Sequence, residues 1–209
     1  MLRTARFIYT GRDYDPLIKI IIGAMEELKI GNTFDITNDV GPVIDENSKT
    51  QLARHVSEMK EQGFNVYSSP MNNNHSQGYY FYPHIIEINS INDLKYENFG
   101  PILHICKYKE NALGHVIDEI NNYGYGLTFS IQSRIDQKII DISSKIKVGN
   151  IYVNRSIIGA QVESHPFGGE GKSGTGFKAG GPNYLLRFMT ERAISVNLAA
   201  SCGNIELLK

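Results

Sequence analysis

The side chains in this sequence that could form covalent bonds or bind metal are few. Cys106 and Cys202 lie 96 positions apart, which gives neither a C-x-x-C redox pair nor a local zinc site. The six histidines (His55, His75, His84, His104, His115 and His165) are scattered, with no pair at metal-ligand spacing. Phosphate binding is the other chemistry to test, because glycines concentrate between 159 and 181. Gly169-Glu170-Gly171-Lys172-Ser173-Gly174 satisfies G-x-G-x-x-G. That fingerprint needs a strand before it, a helix opening on it and an acid about 20 residues later. Here His165-Pro166-Phe167 is a poor strand, residues 175–182 are too glycine-rich to open a helix, and the later position holds Ile194. Gly171-Lys172-Ser173 also resembles the end of a P-loop, but the first glycine of that motif is replaced by Pro166, which has no N–H for a phosphate. A flexible surface loop would account for the glycines. It would not account for the aromatic residues and prolines that punctuate them.

The elements around these residues read as an α/β protein. Leu17, Ile21, Ala24, Met25 and Leu28 fall on one helical face, predicting a helix from about Asp15 to Lys29 with Gly31 just past it. Three further apolar stripes predict helices: Leu52, Val56 and Met59 stopping at Gly63, Leu113 to Ile120 ending at Gly124, and Ile135 to Ile146 ending before Gly149. Between them, strand-like runs cover Arg6–Thr10, Asn65–Ser68, Tyr79–Ile88, Ile102–Tyr108, Leu127–Ile131 and Asn150–Asn154. Ile102–Cys106 and Leu127–Ile131 are continuously apolar, as in a sheet covered on both faces. Alternation at this spacing predicts a mainly parallel sheet with flanking helices. Cys106 falls inside such a strand, where a thiol acts as a small hydrophobe. The tail Arg192–Leu198 is again strand-like.

Composition narrows the class. With 209 residues, 21 Lys+Arg against 22 Asp+Glu and a net charge of −1, the chain lacks the basic excess of a nucleic-acid binder. It has no apolar run long enough for a transmembrane helix and no signal-peptide pattern in its first ten residues, so a reducing cytoplasm is expected.

Several strings then carry a resemblance. Gly149-Asn150-Ile151-Tyr152-Val153-Asn154-Arg155, Pro166-Phe167-Gly168-Gly169 and Ser173-Gly174-Thr175-Gly176 resemble the C-terminal signature of aldehyde dehydrogenases, and Glu97-Asn98-Phe99-Gly100-Pro101 resembles their E-x-F-G-P motif. Residues 178–188, Lys-Ala-Gly-Gly-Pro-Asn-Tyr-Leu-Leu-Arg-Phe, are similar to the pyrroline-5-carboxylate dehydrogenase branch. Residues 190–197 with Gly203-Asn204 resemble the bifunctional proline utilization A proteins. The likeness runs from Arg6 onward. It implies the C-terminal part of the aldehyde dehydrogenase module over 1–188, with an oligomerisation strand and tail over 189–209.

The implied reaction is NAD-dependent oxidation of L-glutamate γ-semialdehyde to L-glutamate. In the family a cysteine thiolate attacks the aldehyde, hydride passes to NAD, and water hydrolyses the thioester. By the resemblance, Glu97 holds the nicotinamide ribose, a task that suits a carboxylate's two acceptor oxygens facing a vicinal diol. Phe99 packs beside the nicotinamide ring. Gly180 and Gly181 take the substrate α-carboxylate on backbone N–H groups, and Phe188 packs on its aliphatic chain. Phe167, Gly168 and Gly169 shape the loop. The family nucleophile falls at about Met1-Leu2, so neither it nor most of the cofactor domain is expected in this chain, and the isolated chain is expected to be inactive. Gln161, Glu163, Ser164 and His165 stand where the family is usually apolar or carries Gly and Gln, and Lys172 and Phe177 where it carries Leu and Pro. Two other functions stay open: a non-catalytic oligomerising or complementing subunit, and a decayed gene product. The expected partners are a small-molecule substrate and either a second copy or an upstream fragment, with no metal.

Overall fold

The computed structural model describes residues 6–10, 14–70, 78–157 and 164–197. Expectations that fall on Gln161, Glu163, Cys202 and residues 198–209 lie outside these. The chain divides into two compact units, one of residues 1–124 with 141–146, the other of 125–140 with 147–209.

The first unit is a four-stranded sheet flanked by helices. Its order is β1 (Arg6–Thr10), β4 (Ile102–Tyr108), β3 (His84–Ile88), β2 (Val66–Ser68), with β1 and β3 parallel to β4 and β2 antiparallel at the edge. Both faces of the central strand β4 are covered, which is why it is apolar on both sides apart from His104. Ile102 and Cys106 join Ile86 and Ile88 beneath α2 (Glu46–Glu61), through Leu52, Val56 and Met59. Ile105 and Ile85 point the other way, against Tyr14, Ile18 and Met25 of α1 (Tyr14–Glu26).

The helix ends have local causes. The Asp45 carboxylate caps α2 by accepting the Ser48 N–H at 2.7 Å, and Gly63 leaves the helix at φ +87°. α3 (Leu113–Tyr123) buries Val116 and Ile117 and ends on Gly124 in the left-handed region. α1 stops at Glu26, three residues before the expected Lys29. Asp39 is the reason: its carboxylate takes the Lys29 N–H at 2.9 Å, and the Lys29 carbonyl accepts from Asp39 and Val40. The buried face of α1 is also turned from the predicted one: Tyr14, Ile18 and Met25 are buried, Leu17 and Ile21 only half-buried, and Ala24 exposed. The strand expected over Tyr79–Ile88 starts only at His84, because Pro83 has no N–H to give a ladder and its carbonyl instead accepts from Ser69.

The second unit holds two small sheets: β6 (Thr128–Ile131) parallel to β7 (Asn150–Val153), and β5 (Tyr125–Gly126) antiparallel to β8 (Glu170–Gly171). Of β6 only Ile131 is buried, so the two-sided cover expected for Leu127–Ile131 is absent here. The helix α4 (Asp136–Lys145) buries none of its residues. Residues 189–197 follow a short 3-10 turn, Tyr184–Phe188, as exposed chain outside any helix or strand, so the strand expected over the tail does not form among its described residues.

Candidate functional site

The E-x-F-G-P string folds as a loop leading into β4, with alternate residues turned in and out. Ser90 and Asp93 cap the preceding turn reciprocally, and Leu94 is buried. Asn98 is buried as well. A Cβ at Gly100 would collide with the Leu52 side chain of α2, so glycine here is favoured by a close approach rather than by its torsion angles. Glu97 and Phe99 lie between these inward positions and face outward, Phe99 with 44% of its surface exposed. The Glu97 carboxylate makes no hydrogen bond or ion pair with another described residue. Tyr96 ties the loop to α2: its hydroxyl donates to Glu58 at 3.3 Å and its ring sits edge-on to His55. An open carboxylate beside a half-exposed ring, on a loop held from below, suits a diol next to a flat heterocycle.

The second group of expected residues lies in the other unit. The Asn150 side chain clamps the Pro-Phe-Gly-Gly string, donating to the Pro166 carbonyl at 2.9 Å and accepting the Gly168 N–H at 3.2 Å. Phe167 and Ala179 exchange backbone hydrogen bonds at 3.0 and 2.8 Å, and the Lys178 ammonium donates to the Gly168 carbonyl at 2.8 Å. Phe167 and Gly168 therefore shape the loop. An open cavity of about 590 Å³ borders this knot, lined by Pro166, Phe177, Lys178 and Gly181 among others. Two details modify the expected carboxylate cradle. The Gly181 N–H already donates to the Lys178 carbonyl at 2.9 Å, so the two glycine amides do not both converge on an anion. Gly180 sits at φ +73°, so its glycine is required by conformation rather than by approach alone. Phe188 is 68% exposed, stacks edge-on with Tyr184 and is not in the cavity wall.

The two phosphate-like motifs resolve as a tight turn. Glu170 and Gly171 form β8, Ser173 N–H closes the turn on Glu170 at 3.0 Å, and no helix opens on Gly174. Cys106 is buried, its thiol donates to the Asn89 carbonyl at 3.1 Å, and burial pushes its pKa up to about 11. It is a core thiol, the opposite of an activated nucleophile. Among the described residues no group of three or more His, Cys, Asp and Glu side chains is placed to hold a metal, and no helix is long and apolar enough to cross a membrane. One constellation escaped sequence reasoning. His55 of α2 and His104 of β4 are both buried and bring their Nε2 atoms to 2.9 Å, although 49 residues separate them. The only sequence signal was His55 at i+3 from Leu52 and i−4 from Met59, on the buried stripe.

The sequence profile of the aldehyde dehydrogenase family matches residues 2–194. The chain is 42% identical over 193 residues to the bifunctional protein PutA of Klebsiella aerogenes, covering 88% of this chain and 15% of that protein. It is 33% identical over 184 residues to the 1-pyrroline-5-carboxylate dehydrogenase of Bacillus subtilis, covering 87% of this chain and 35% of that one. A crystal structure of a variant of Bradyrhizobium japonicum proline utilization A superposes with a TM-score of 0.83 at 43% identity, over 94% of this chain and 20% of the other. Mycobacterium tuberculosis aldehyde dehydrogenase complexed with NAD+ gives a TM-score of 0.73 at 25% identity, over 88% of this chain and 37% of that one. The chain thus spans a minor part of each relative, but the part it spans is continuous and carries the E-x-F-G-P loop on an α/β sheet: it belongs to the aldehyde dehydrogenase family.

Proposed function

We propose that this chain supplies the nicotinamide-ribose side and part of the substrate side of a site that oxidises L-glutamate γ-semialdehyde to L-glutamate with NAD in proline catabolism, in the cytoplasm. The observation that carries the reading is the open Glu97 carboxylate beside half-exposed Phe99, on a loop whose other residues are buried or pinned. Glu97 would hold the cofactor by accepting hydrogen bonds from both ribose hydroxyls, and Phe99 would give one face of the nicotinamide an apolar wall. When bound, NAD supplies the hydride acceptor. Gly180 and Gly181 remain the proposed anchors of the substrate α-carboxylate, with the Gly180 amide as the donor, since that of Gly181 is engaged. Phe188 is the proposed apolar contact for the substrate chain. Cys106 is too deeply buried and too weakly acidic to attack an aldehyde. A chain of these 209 residues alone is therefore proposed to turn over no aldehyde and to need a complementing segment that brings the thiolate.

The test is NMR of the chain titrated with NAD. Perturbations centred on Glu97 and Phe99, at millimolar cofactor and lost in Glu97→Gln, are expected. Micromolar affinity, or perturbations centred elsewhere, would show that the cofactor site is misplaced. A second reading, an oligomerising subunit, is favoured by one observation: Met189, Ile194 and Val196 are largely exposed on a segment outside any helix or strand.

A further inference from the structure

The parallel strands β6 and β7 end at Ile131 and Val153, and the residues that follow them are tied together. Asn154 is the one non-glycine residue at positive φ among the described residues, at +52°. Its side chain holds that conformation by bonding Ser133 twice, accepting from the N–H and donating to the carbonyl, each at 2.9 Å. Its own N–H donates to the Ile131 carbonyl at 2.8 Å. The Arg155 carbonyl then accepts from the Ser130 hydroxyl and the Gln132 amide, both at 3.2 Å. The backbone that carries Arg155 is thus set from β6. A left-handed residue locked this firmly marks a place where the fold imposes a particular geometry.

The Arg155 side chain is fixed as well. Its guanidinium lies 5.0 Å from the centroid of the Tyr152 ring, a cation–π contact with a buried residue. Its Nη1 lies 3.4 Å from His165 Nε2. Arginine can only donate, so Nε2 accepts and the ring hydrogen is on Nδ1, 3.2 Å from the Ser164 hydroxyl. In that tautomer His165 orients the guanidinium and is itself oriented by Ser164. Arg155 nevertheless stays exposed, and among the described residues no carboxylate lies within ion-pair distance of it. Its other side-chain N–H groups bond to no described residue.

We propose that Arg155 anchors a binding site for the carboxylate of a small organic acid, with His165 and Tyr152 as the residues that position it. A loose surface arginine loses rotamer freedom when it binds a ligand. This one has lost much of it on folding, so less is lost on binding. Its planar fork matches the two oxygens of a carboxylate, and its single permanent charge suits a monoanion. A phosphate dianion would need further donors, and those nearby are taken. The Gln132 amide is bonded to the Ser130 hydroxyl and the Arg155 carbonyl, the Asn154 amide to the Ser133 carbonyl, and His165 Nε2 accepts. The location agrees, since ligands of parallel α/β sheets collect beyond the carboxyl ends of the strands. No residue proposed above for cofactor or substrate takes part, so the inference does not rest on those assignments.

The experiment is NMR of the whole chain, with sodium acetate replacing sodium chloride at constant ionic strength and pH, and acetamide as the neutral control. Acetate is expected to shift the Arg155 Nε–Hε and His165 ring signals together and saturably, in the millimolar range. Acetamide should leave them in place, and sodium phosphate should bind no tighter than acetate. Arg155→Gln should abolish the response. Arg155→Lys keeps the charge but loses the fork, and should raise the acetate Kd about tenfold. His165→Phe should weaken binding by releasing the guanidinium, whereas His165→Gln, which can still accept from Nη1, should retain most of it. A response to added sodium chloride alone, or one unchanged in Arg155→Gln, would overturn the site. So would a response that appears only in Glu163→Gln, because the chain's own carboxylate would then be the occupant. If Arg155→Gln does not fold, acetate against acetamide at Arg155 in the unsubstituted chain decides. Shifts confined to the Gly180 amide would support the substrate anchor and overturn this site, so the two readings can fail separately.

Discussion

Glu97→Gln keeps the size of the side chain and removes the charge that would strengthen two hydrogen bonds to a ribose. In an assembly competent for turnover it should raise the NAD requirement about 10- to 100-fold, the range expected for losing a charge-assisted hydrogen bond. Steady-state kinetics would measure this, and an unchanged elution volume would show that assembly is untouched. Cys106 yields a second expectation at this scale. With its pKa raised to about 11 and its thiol donated to Asn89, it should resist alkylation at pH 8 in the folded chain and react only on unfolding. Mass spectrometry after iodoacetamide treatment, with and without urea, would check it; rapid modification of the native chain would contradict a core role. The core position of Cys106 was legible in the sequence, whereas the role of Glu97 is a proposal drawn from its motif. Cys106 sat in an apolar run, and Glu97 sat in a long motif. His55 and His104 were not legible, because one hydrogen bond across 49 residues leaves no local pattern.

α2 and the E-x-F-G-P loop depend on each other at two testable positions. Asp45→Ala removes the cap on Ser48 and should cost about 1 kcal/mol in urea unfolding. Gly100→Ala drives a methyl group into Leu52 and should cost about 1–3 kcal/mol, the usual penalty for overpacking. Shortening the obstructing side chain, as in Gly100→Ala with Leu52→Val, should recover part of that loss; a double variant no better than the single would show that the contact is not what restricts Gly100. Periodicity located α2, α3 and β4, since each buries the face its apolar spacing marks out. It misplaced the end of α1, where the Asp39 carboxylate ten residues away takes the Lys29 N–H. It overran β3 at Pro83, whose missing N–H was a readable sign. It missed β5 and β8, two-residue pieces held by pairing with each other rather than by any propensity of their own.

At the scale of the molecule, Met189, Ile194 (79% exposed) and Val196 leave an apolar segment in water that belongs to no helix or strand. An exposed apolar segment of strand-forming residues is a template for pairing with another chain. The chain is expected to self-associate, or to pair tightly with a complementing segment, and Ile194→Lys with Val196→Lys should prevent this. Light scattering over a concentration series would test it, and a monomer at high micromolar concentration with a sharp cooperative melt would rule it out. Dehydrogenase activity with glutamate semialdehyde should be absent from the chain alone and recovered on complementation.

The sequence by itself determined the family, the α/β class and the central apolar strand, because those are written in contiguous strings and in local periodicity. It marked Glu97 and Phe99 as a pair, since they stand two residues apart. Tertiary structure decided everything that depends on distant groups meeting. It crowded Gly100 by setting the Leu52 side chain against it, and it spent the Gly181 amide on Lys178 inside a loop that sequence read as open. It also turned two scattered histidines into one buried hydrogen bond. Which groups remain open to a ligand is a property of packing, because a donor or acceptor satisfied within the fold is no longer available.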